Sequence, residues 1–289
     1  MYNPKDKINY AIHLGVIEEK PCKINSLVIS SDGYLLGGTE IKNGGGYLFS
    51  YNTKEKFPKI EKISIPVKDE GISALTIDNN SGCIYGLSSK TGTFFIFYLE
   101  DGSLESKGQV DKEHIFSKVL VVGPNGDVFG GACWGQLFKY DVRKKCLIPL
   151  KIKVPSIRGR EMYNRIDSLI FDRKSNSIYG GTSADGILFQ FYPDKEKIIS
   201  LGKVTNQPRI RCLAFGNNRC LYGIAGKNCC RLFRYNPADR DLRDLGMLFV
   251  SEPRIWHGYE FDAAITGENG EIYFGQNERI SYLFVYSPL

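Results

Sequence analysis

The chain has 289 residues, of which 42% are hydrophobic, 12% aromatic and 24% charged, and its net charge is +6. Such a composition supports a buried core and excludes an intrinsically disordered chain. The basic excess is mild and scattered. This argues against a nucleic-acid partner, because nucleic-acid binding needs clustered Lys and Arg.

Membrane, export and zinc signals are also missing from the sequence. No stretch approaches the ~20 consecutive apolar residues of a membrane span, and the first residues lack the apolar core of a secretory signal. The eight cysteines include no Cys-x-x-Cys pair, so they give no local support for a zinc site. We therefore expect a cytoplasmic protein with reduced cysteines, no membrane contact, no metal and no cofactor.

One sequence pattern occurs six times along the chain. Each copy has a strand that ends in glycine, a short loop, and a strand of the form Leu-Phe-x-Tyr or a close variant. The Leu-Phe-x-Tyr strands lie at 48–51, 94–97, 137–140, 188–191, 232–235 and 283–286. A period in the forties with several short strands per copy is typical of a β-propeller.

Each repeat divides into four strands. Apolar first strands are predicted at 24–29, 72–77, 118–122, 166–171, 210–215 and 261–266. The last repeat ends after its third strand, and the segment 13–16 matches the fourth strands of earlier repeats. The prediction is an all-β, six-bladed β-propeller of four-stranded antiparallel blades. It forms a single domain over 1–289 and a monomer, and the N-terminal strand closes the ring by completing the C-terminal blade.

The two ends of the predicted blades differ in chemistry. One end carries only hairpin turns rich in Asn, Asp and Gly. The other end, here called the crossover end, carries the loops between second and third strands and the crossings from blade to blade. It holds both tryptophans, two of the three histidines and several Arg and Tyr. Because functional residues concentrate on loops that a rigid scaffold holds, the crossover end is the predicted site.

The first strands share one polar position near the crossover end. Its residues are Asn25, Ser73, Lys118, Asp167, Arg211 and Asp262. Because first strands line the central channel of a propeller, these side chains should form a polar ring that binds a ligand. The alternative is a solvated channel in which the charges pair with one another, for instance Arg211 with Asp167 or Asp262.

The residue types at the crossover end indicate an acidic saccharide or another anionic small molecule. Arg binds carboxylate bidentately, and Trp and Tyr offer flat surfaces to sugar rings. The blade pattern resembles bacterial β-propellers, and the mixture of Tyr, His and Arg resembles that of propeller-fold polysaccharide lyases acting on uronates. Those families typically have seven blades, against six here. Oligogalacturonate lyases use a histidine-rich metal site, which three histidines can hardly build.

The lyase resemblance implies a β-elimination. Such a reaction needs a cation for the developing enolate, a base and an acid. The candidate catalytic residues are His257 and Tyr163 as base and acid, Tyr259 and His114 behind them, and Arg165 as a neutraliser beside Arg209 and Arg211. The candidate substrate-binding residues are Trp134, Trp256, Arg209, Arg211, Asn25, Lys118, Asp167 and Asp262.

Two other functions stay open from the sequence. A non-catalytic propeller would bind a protein or peptide on the same face and would show a flat surface with an apolar patch, whereas an enzyme would show a concave pocket. A hydrolase would need paired carboxylates, and Glu260 and Asp262 could be half of such a pair.

Overall fold

The computed structural model describes residues 2–3, 8–9, 17, 20–42, 44–55, 59–250, 256–277 and 282–288. Their regular structure is nearly all β-strand, with four short 3-10 turns. Within these ranges, no helix has the length and hydrophobicity that a membrane crossing requires.

The repeats fold into six antiparallel sheets, one for each predicted blade, so the fold class is a six-bladed β-propeller. In each sheet, strands that follow one another in the chain are hydrogen-bonded neighbours. The chain also divides into two compact units, Met1–Gly108 and Gln109–Leu289.

Blades 1 and 2 belong to the first unit. Blade 1 consists of Cys22–Ile29, Tyr34–Ile41, Leu48–Asn52 and Ile60–Ser64. Blade 2 consists of Ile72–Asp78, Cys83–Ser88, Thr93–Tyr98 and Leu104–Gln109, whose last residue begins the second unit. A two-stranded ribbon, Tyr2–Asn3 with Ile8–Asn9, precedes them. The predicted fourth strand of the last blade, 13–16, lies outside the described residues.

Blades 3 to 6 belong to the second unit. Blade 3 consists of Leu120–Val122, Val128–Gly131, Gln136–Asp141 and Cys146–Lys153. Blade 4 consists of Ile166–Asp172, Ser177–Thr182, Ile187–Tyr192 and Lys197–Lys203. Blade 5 consists of Ile210–Phe215, Leu221–Ala225, Arg231–Asn236 and Asp241–Met247. Three strands of blade 6 are described, Phe261–Thr266, Ile272–Gln276 and Leu283–Tyr286.

The predicted first strands are confirmed to within two residues at either end, with one consequence for the site. The first strand of blade 3 begins at Leu120. Lys118 was expected inside that strand but lies before it, in the crossing from blade 2, and is exposed.

The hydrophobic core lies between successive blades. One cluster joins blades 1 and 2 through residues such as Leu36, Ile72 and Phe95. Three more clusters join blades 3 and 4, 4 and 5, and 5 and 6. At these four junctions the facing sides of the blades are buried against each other, which explains why the inner strands have apolar residues on both faces.

A glycine beneath a phenylalanine ring recurs in five blades. The glycine of the second strand pairs directly with the phenylalanine of the Leu-Phe-x-Tyr strand. A β-carbon added at any of these glycines would lie under 3.0 Å from the ring of its partner. The pairs are Gly37 with Phe49, Gly86 with Phe95, Gly130 with Phe138, Gly180 with Phe189 and Gly223 with Phe233.

Blade 6 departs from this arrangement. Phe274 takes the place opposite Phe284, and the glycine moves one residue along, to Gly275 opposite Leu283. The nearest atom to a β-carbon added at Gly275 would be the Ala263 Cβ, at 3.5 Å, which is ordinary van der Waals contact. The glycine of the second strand is thus sterically required in five blades, whereas Gly275, the glycine of the second strand in blade 6, can be replaced.

We predict that Gly180→Ala lowers the free energy of unfolding by about 1–3 kcal/mol, because the new methyl group overlaps the Phe189 ring. Gly275→Ala is the matched control and should change it by less than about 1 kcal/mol. Denaturant titration followed by circular dichroism measures both. Equal losses in the two variants would contradict the role assigned to the ring contact.

Candidate functional site

The shared polar position of the first strands is a β-bulge. In blades 1, 2, 4, 5 and 6 the strand register skips one residue between the first and second strands. A bulge residue has no partner in the neighbouring strand, and its side chain departs from the regular alternation of side chains between the two faces of the sheet. The skipped residues are Asn25, Ser73, Asp167, Arg211 and Asp262.

In the second unit the bulge residues join one network of ion pairs. Arg209 donates from Nε to Asp167 Oδ2 at 2.8 Å and from Nη2 to Asp167 Oδ1 at 3.2 Å. Glu260 Oε1 lies 3.8 Å from Arg209 Nη1 and accepts a hydrogen bond from Arg211. Arg211 Nη1 lies 2.7 Å from Asp262 Oδ1. Three carboxylates, one from blade 4 and two from the start of blade 6, therefore surround two guanidinium groups.

This network leaves little capacity for an external anion. The side chains of Arg209 and Arg211 are 26% and 24% exposed, and each already contacts two carboxylates. Burial raises the pKa of Asp167, and the hydrogen bonds from Arg209 oppose that shift. A ligand carboxylate would have to displace an internal one from its arginine. The geometry therefore agrees with the paired-charge alternative, including the expected pair of Arg211 with Asp262.

A second group of predicted residues lies at the crossover end of blades 3 and 4. The loop between the second and third strands of blade 3 is the 3-10 turn Cys133–Gly135, in which Trp134 has φ 55°. That left-handed backbone conformation is rare for a bulky side chain and is held only by its surroundings. The Gly135 carbonyl accepts a hydrogen bond from the Val154 N–H at 2.9 Å. The turn is thus fixed against the start of the crossing from blade 3 to blade 4.

Asp185 anchors that crossing, residues 155–165. Its side chain is fully buried, and its Oδ2 accepts hydrogen bonds from Ser156 Oγ at 2.9 Å, the Ile157 N–H at 2.9 Å and Asn164 Nδ2 at 3.0 Å. Its Oδ1 lies 3.3 Å from Arg160 Nε as an ion pair. One carboxylate therefore fixes both ends and the middle of the crossing.

Bulky apolar side chains are exposed where the turn and the crossing meet. Trp134 is 39% exposed, Ile157 42%, Met162 55% and Tyr163 64%. The 3-10 turn Glu161–Tyr163 contacts the turn Cys133–Gly135. Arg158 and Arg165 are also exposed, and neither side chain has a partner in the part of the chain that the structure describes. We call these six residues the blade 3–4 patch.

Tyr259, His114 and Asn25 are the other predicted site residues whose side chains the structure describes. Tyr259 is 38% exposed, and its carbonyl accepts the Asn228 N–H at 2.8 Å. His114 is exposed in the crossing that leads into blade 3, with φ 58°. Asn25, in the first unit, donates to the Ile72 carbonyl at 3.0 Å.

Two further predicted residues belong to a short strand between blades 5 and 6. Trp256 and His257 form a short strand that pairs with Phe249–Val250, and their side chains lie outside the described residues. Among the residues that are described, no group of three or more His, Cys, Asp or Glu could hold a metal ion.

Five contributors were not among the residues predicted from the sequence, namely Asp185, Asn277, Ile157, Arg158 and Met162. Asn277 donates to Asp262 and completes the ion-pair network. Asp185 lies just before a glycine with φ 63° in the loop of blade 4 that joins the second and third strands. A single acid in a loop between apolar strands was the available signal, but its partners come from a crossing 20 or more residues away.

Comparisons with known proteins support the fold and no more. No family model matches the chain, and no curated protein is significantly similar to it. Among solved structures, the extracellular domain assigned to a hybrid two-component system of B. thetaiotaomicron superimposes with a TM-score of 0.66 at 16% identity over 92% of this chain. This chain spans 33% of the length of that domain.

Two further structures are similar. The β-propeller domain of Cps50 (Swd1) from Myceliophteria thermophila has a TM-score of 0.65 at 12% identity and covers 90% of this chain and 82% of its own. U3-55K has a TM-score of 0.63 at 10% identity and covers 93% and 79%. At such identities the likeness shows a β-propeller fold alone, and the lyase resemblance gains no support from it.

We predict that Asp185→Asn lowers the free energy of unfolding by about 1–3 kcal/mol, because three donors lose a buried charged acceptor. Asp194→Asn is the control, since Asp194 is an exposed residue of the same blade whose carboxylate accepts one bond, from Asn176 at 3.0 Å. Thermal denaturation compares the variants. An unchanged midpoint for Asp185→Asn would contradict the anchoring role.

Proposed function

We propose that this protein is a non-catalytic binding propeller that holds a protein or peptide partner on the blade 3–4 patch. The observation that carries the proposal is the exposure of four bulky apolar side chains at one place, Trp134, Ile157, Met162 and Tyr163. Large apolar side chains that cluster on a surface mark interaction sites, whereas single ones are ordinary.

The composition of the patch is that of a binding hot spot. Trp, Tyr and Arg carry most of the binding energy at interfaces, and Met is enriched there. The patch also sits on backbone that is already fixed by Asp185 and by Val154. A surface ordered before binding loses less conformational entropy when its partner arrives.

The ion-pair network supports the same choice over catalysis. The cations expected to neutralise a substrate carboxylate, Arg209 and Arg211, are each shared between two protein carboxylates. Catalytic electrostatics needs donors that are aimed at the reacting group and are not occupied in the free enzyme. Fold similarity adds nothing to either side, because one fold serves many functions.

We predict that the double variant Trp134→Ala/Tyr163→Ala captures at least tenfold less of the partner from a lysate of the source organism. Quantitative pull-down measures the amount captured. Leu245→Ala, which truncates a 40% exposed side chain on the outer strand of blade 5, is the control and should capture as the unaltered protein does. Cross-linking should place the partner on 133–135 and 155–165. Unchanged capture by the double variant would refute the proposal.

An acidic saccharide is the second candidate, because the same patch places Trp134 and Tyr163 beside Arg158 and Arg165. Aromatic faces suit sugar rings, and unpaired guanidinium groups suit uronate carboxylates.

We expect uronate oligosaccharides to bind weakly and not to undergo β-elimination, because the candidate neutralisers Arg209 and Arg211 are already paired. No unsaturated product, and hence no increase in ultraviolet absorbance, should then form. Incubation of the protein with a panel of uronate oligosaccharides, followed by absorbance, tests this. A rise in absorbance that Tyr163→Phe abolishes would establish β-elimination and overturn the binding-only assignment.

A further inference from the structure

Charge around the blade 3–4 patch is distributed unevenly. The crossing from blade 3 to blade 4, with Lys153 just before it, has four basic side chains and one acidic one between 153 and 165. Arg160 is paired with the buried Asp185. The acidic residue, Glu161, accepts the Gly159 N–H at 3.1 Å, and backbone hydrogen bonds hold its pKa below the usual range.

Both remaining arginines are available to a partner. Arg158 and Arg165 are exposed, and their guanidinium groups have no partner among the residues described. In sequence they flank Met162 and Tyr163, and Ile157 lies next to Arg158. Asp185 holds the segment 155–165 together. Five donors on each guanidinium are thus available beside an apolar surface.

Acidic groups approach the patch from the opposite side of blade 3. Asp111 and Glu113 belong to the crossing that enters blade 3, and the Cys133 Sγ donates to Glu113 Oε2 at 3.8 Å. Burial raises the pKa of Cys133, and the nearby carboxylates of Asp111 and Glu113 raise it further. The Trp134 turn therefore lies between a crossing of mixed charge, in which Lys112 and Lys118 accompany the two carboxylates, and a crossing that presents two unpaired arginines.

We propose that the partner segment is an acidic peptide with apolar or aromatic anchors, and that its carboxylates face Arg158 and Arg165. This inference rests on the proposed function and adds the chemistry of the ligand. Complementary charge selects partners and orients them, while apolar anchors supply most of the affinity. Carboxylates in the peptide gain two unpaired guanidinium groups on the crossing from blade 3 to blade 4, where Glu161 is the one acidic residue among four basic ones between 153 and 165.

Three synthetic peptides of equal length test the proposal. They share two aromatic or leucine anchors and differ only in their flanking residues, which are Glu, Ser or Lys. Fluorescence anisotropy should show the Glu peptide binding about tenfold more tightly than the Lys peptide, with the Ser peptide between them. The preference should weaken as salt rises, because exposed charges are screened.

Charge reversal within blade 4 provides matched variants. Arg158→Glu/Arg165→Glu should invert the order of the Glu and Lys peptides. Arg173→Glu/Lys174→Glu is the control and changes the net charge by the same amount. These two residues lie in the turn at the other end of the first strand of blade 4, roughly 20 Å away. This variant should leave the order of the peptides unchanged. Both pairs of side chains are exposed, so neither variant removes core contacts.

The outcomes separate this inference from the proposed function. The preference for acidic peptides would be overturned if the three peptides bound with equal affinity, or if Arg158→Glu/Arg165→Glu left the order of their affinities unchanged. Either result would leave the proposed peptide-binding patch in place. Binding of none of them, while partner capture still requires Trp134 and Tyr163, would overturn a linear segment in favour of a folded partner. A uronate oligosaccharide that binds as tightly as the Glu peptide would overturn the assignment to a peptide.

Discussion

The contact between a glycine and a phenylalanine ring on adjacent strands is the constraint on which each regular blade depends. The ring of the Leu-Phe-x-Tyr strand occupies the space where a β-carbon would be, as Gly180 and Phe189 illustrate. A buried ring of this size contributes about 1.5–3 kcal/mol through the hydrophobic effect. Because the ring lies flat on the backbone, the face of the sheet stays smooth enough for the next blade to pack against it.

That packing decides which residues are left for function. Apolar side chains from successive blades fill the space between the sheets, so charged residues are excluded from that space. At the crossover end, β-bulges turn Asp167, Arg211 and Asp262 out of the strands. Charges that meet there in partly buried surroundings pair with one another, because an unpaired buried charge is costly.

The two charge arrangements of the second unit therefore differ in purpose. In the ion-pair network, Arg209 and Arg211 each contact two protein carboxylates and share Glu260. At the blade 3–4 patch, the carboxylate of Asp185 accepts hydrogen bonds from the crossing and fixes its backbone. Arg158 and Arg165 have no partner among the described residues. The proposed binding surface is the second arrangement, where the unpaired arginines lie beside Ile157, Met162 and Tyr163, all of them exposed.

Local patterns in the sequence were sufficient to predict the blades. Alternation of strands and turns, and the repeated glycine and Leu-Phe-x-Tyr strands, depend on residues close together in the chain, so six sheets and most strand ends followed from them. The polar position in the first strands was also visible, although its cause, a bulge, was not.

Only the tertiary structure decided what the polar residues do. Asp167 meets Arg209 across 42 positions and Arg211 meets Glu260 across 49, and no local pattern specifies which of several nearby carboxylates an arginine contacts. Whether an arginine is occupied or free depends on the blade that packs beside it. The sequence by itself therefore determined the scaffold and the end of the blades where most of the chemically distinctive residues lie, because these follow from short-range periodicity. The tertiary structure separated neutralised charges from available ones, because pairing depends on distances between blades.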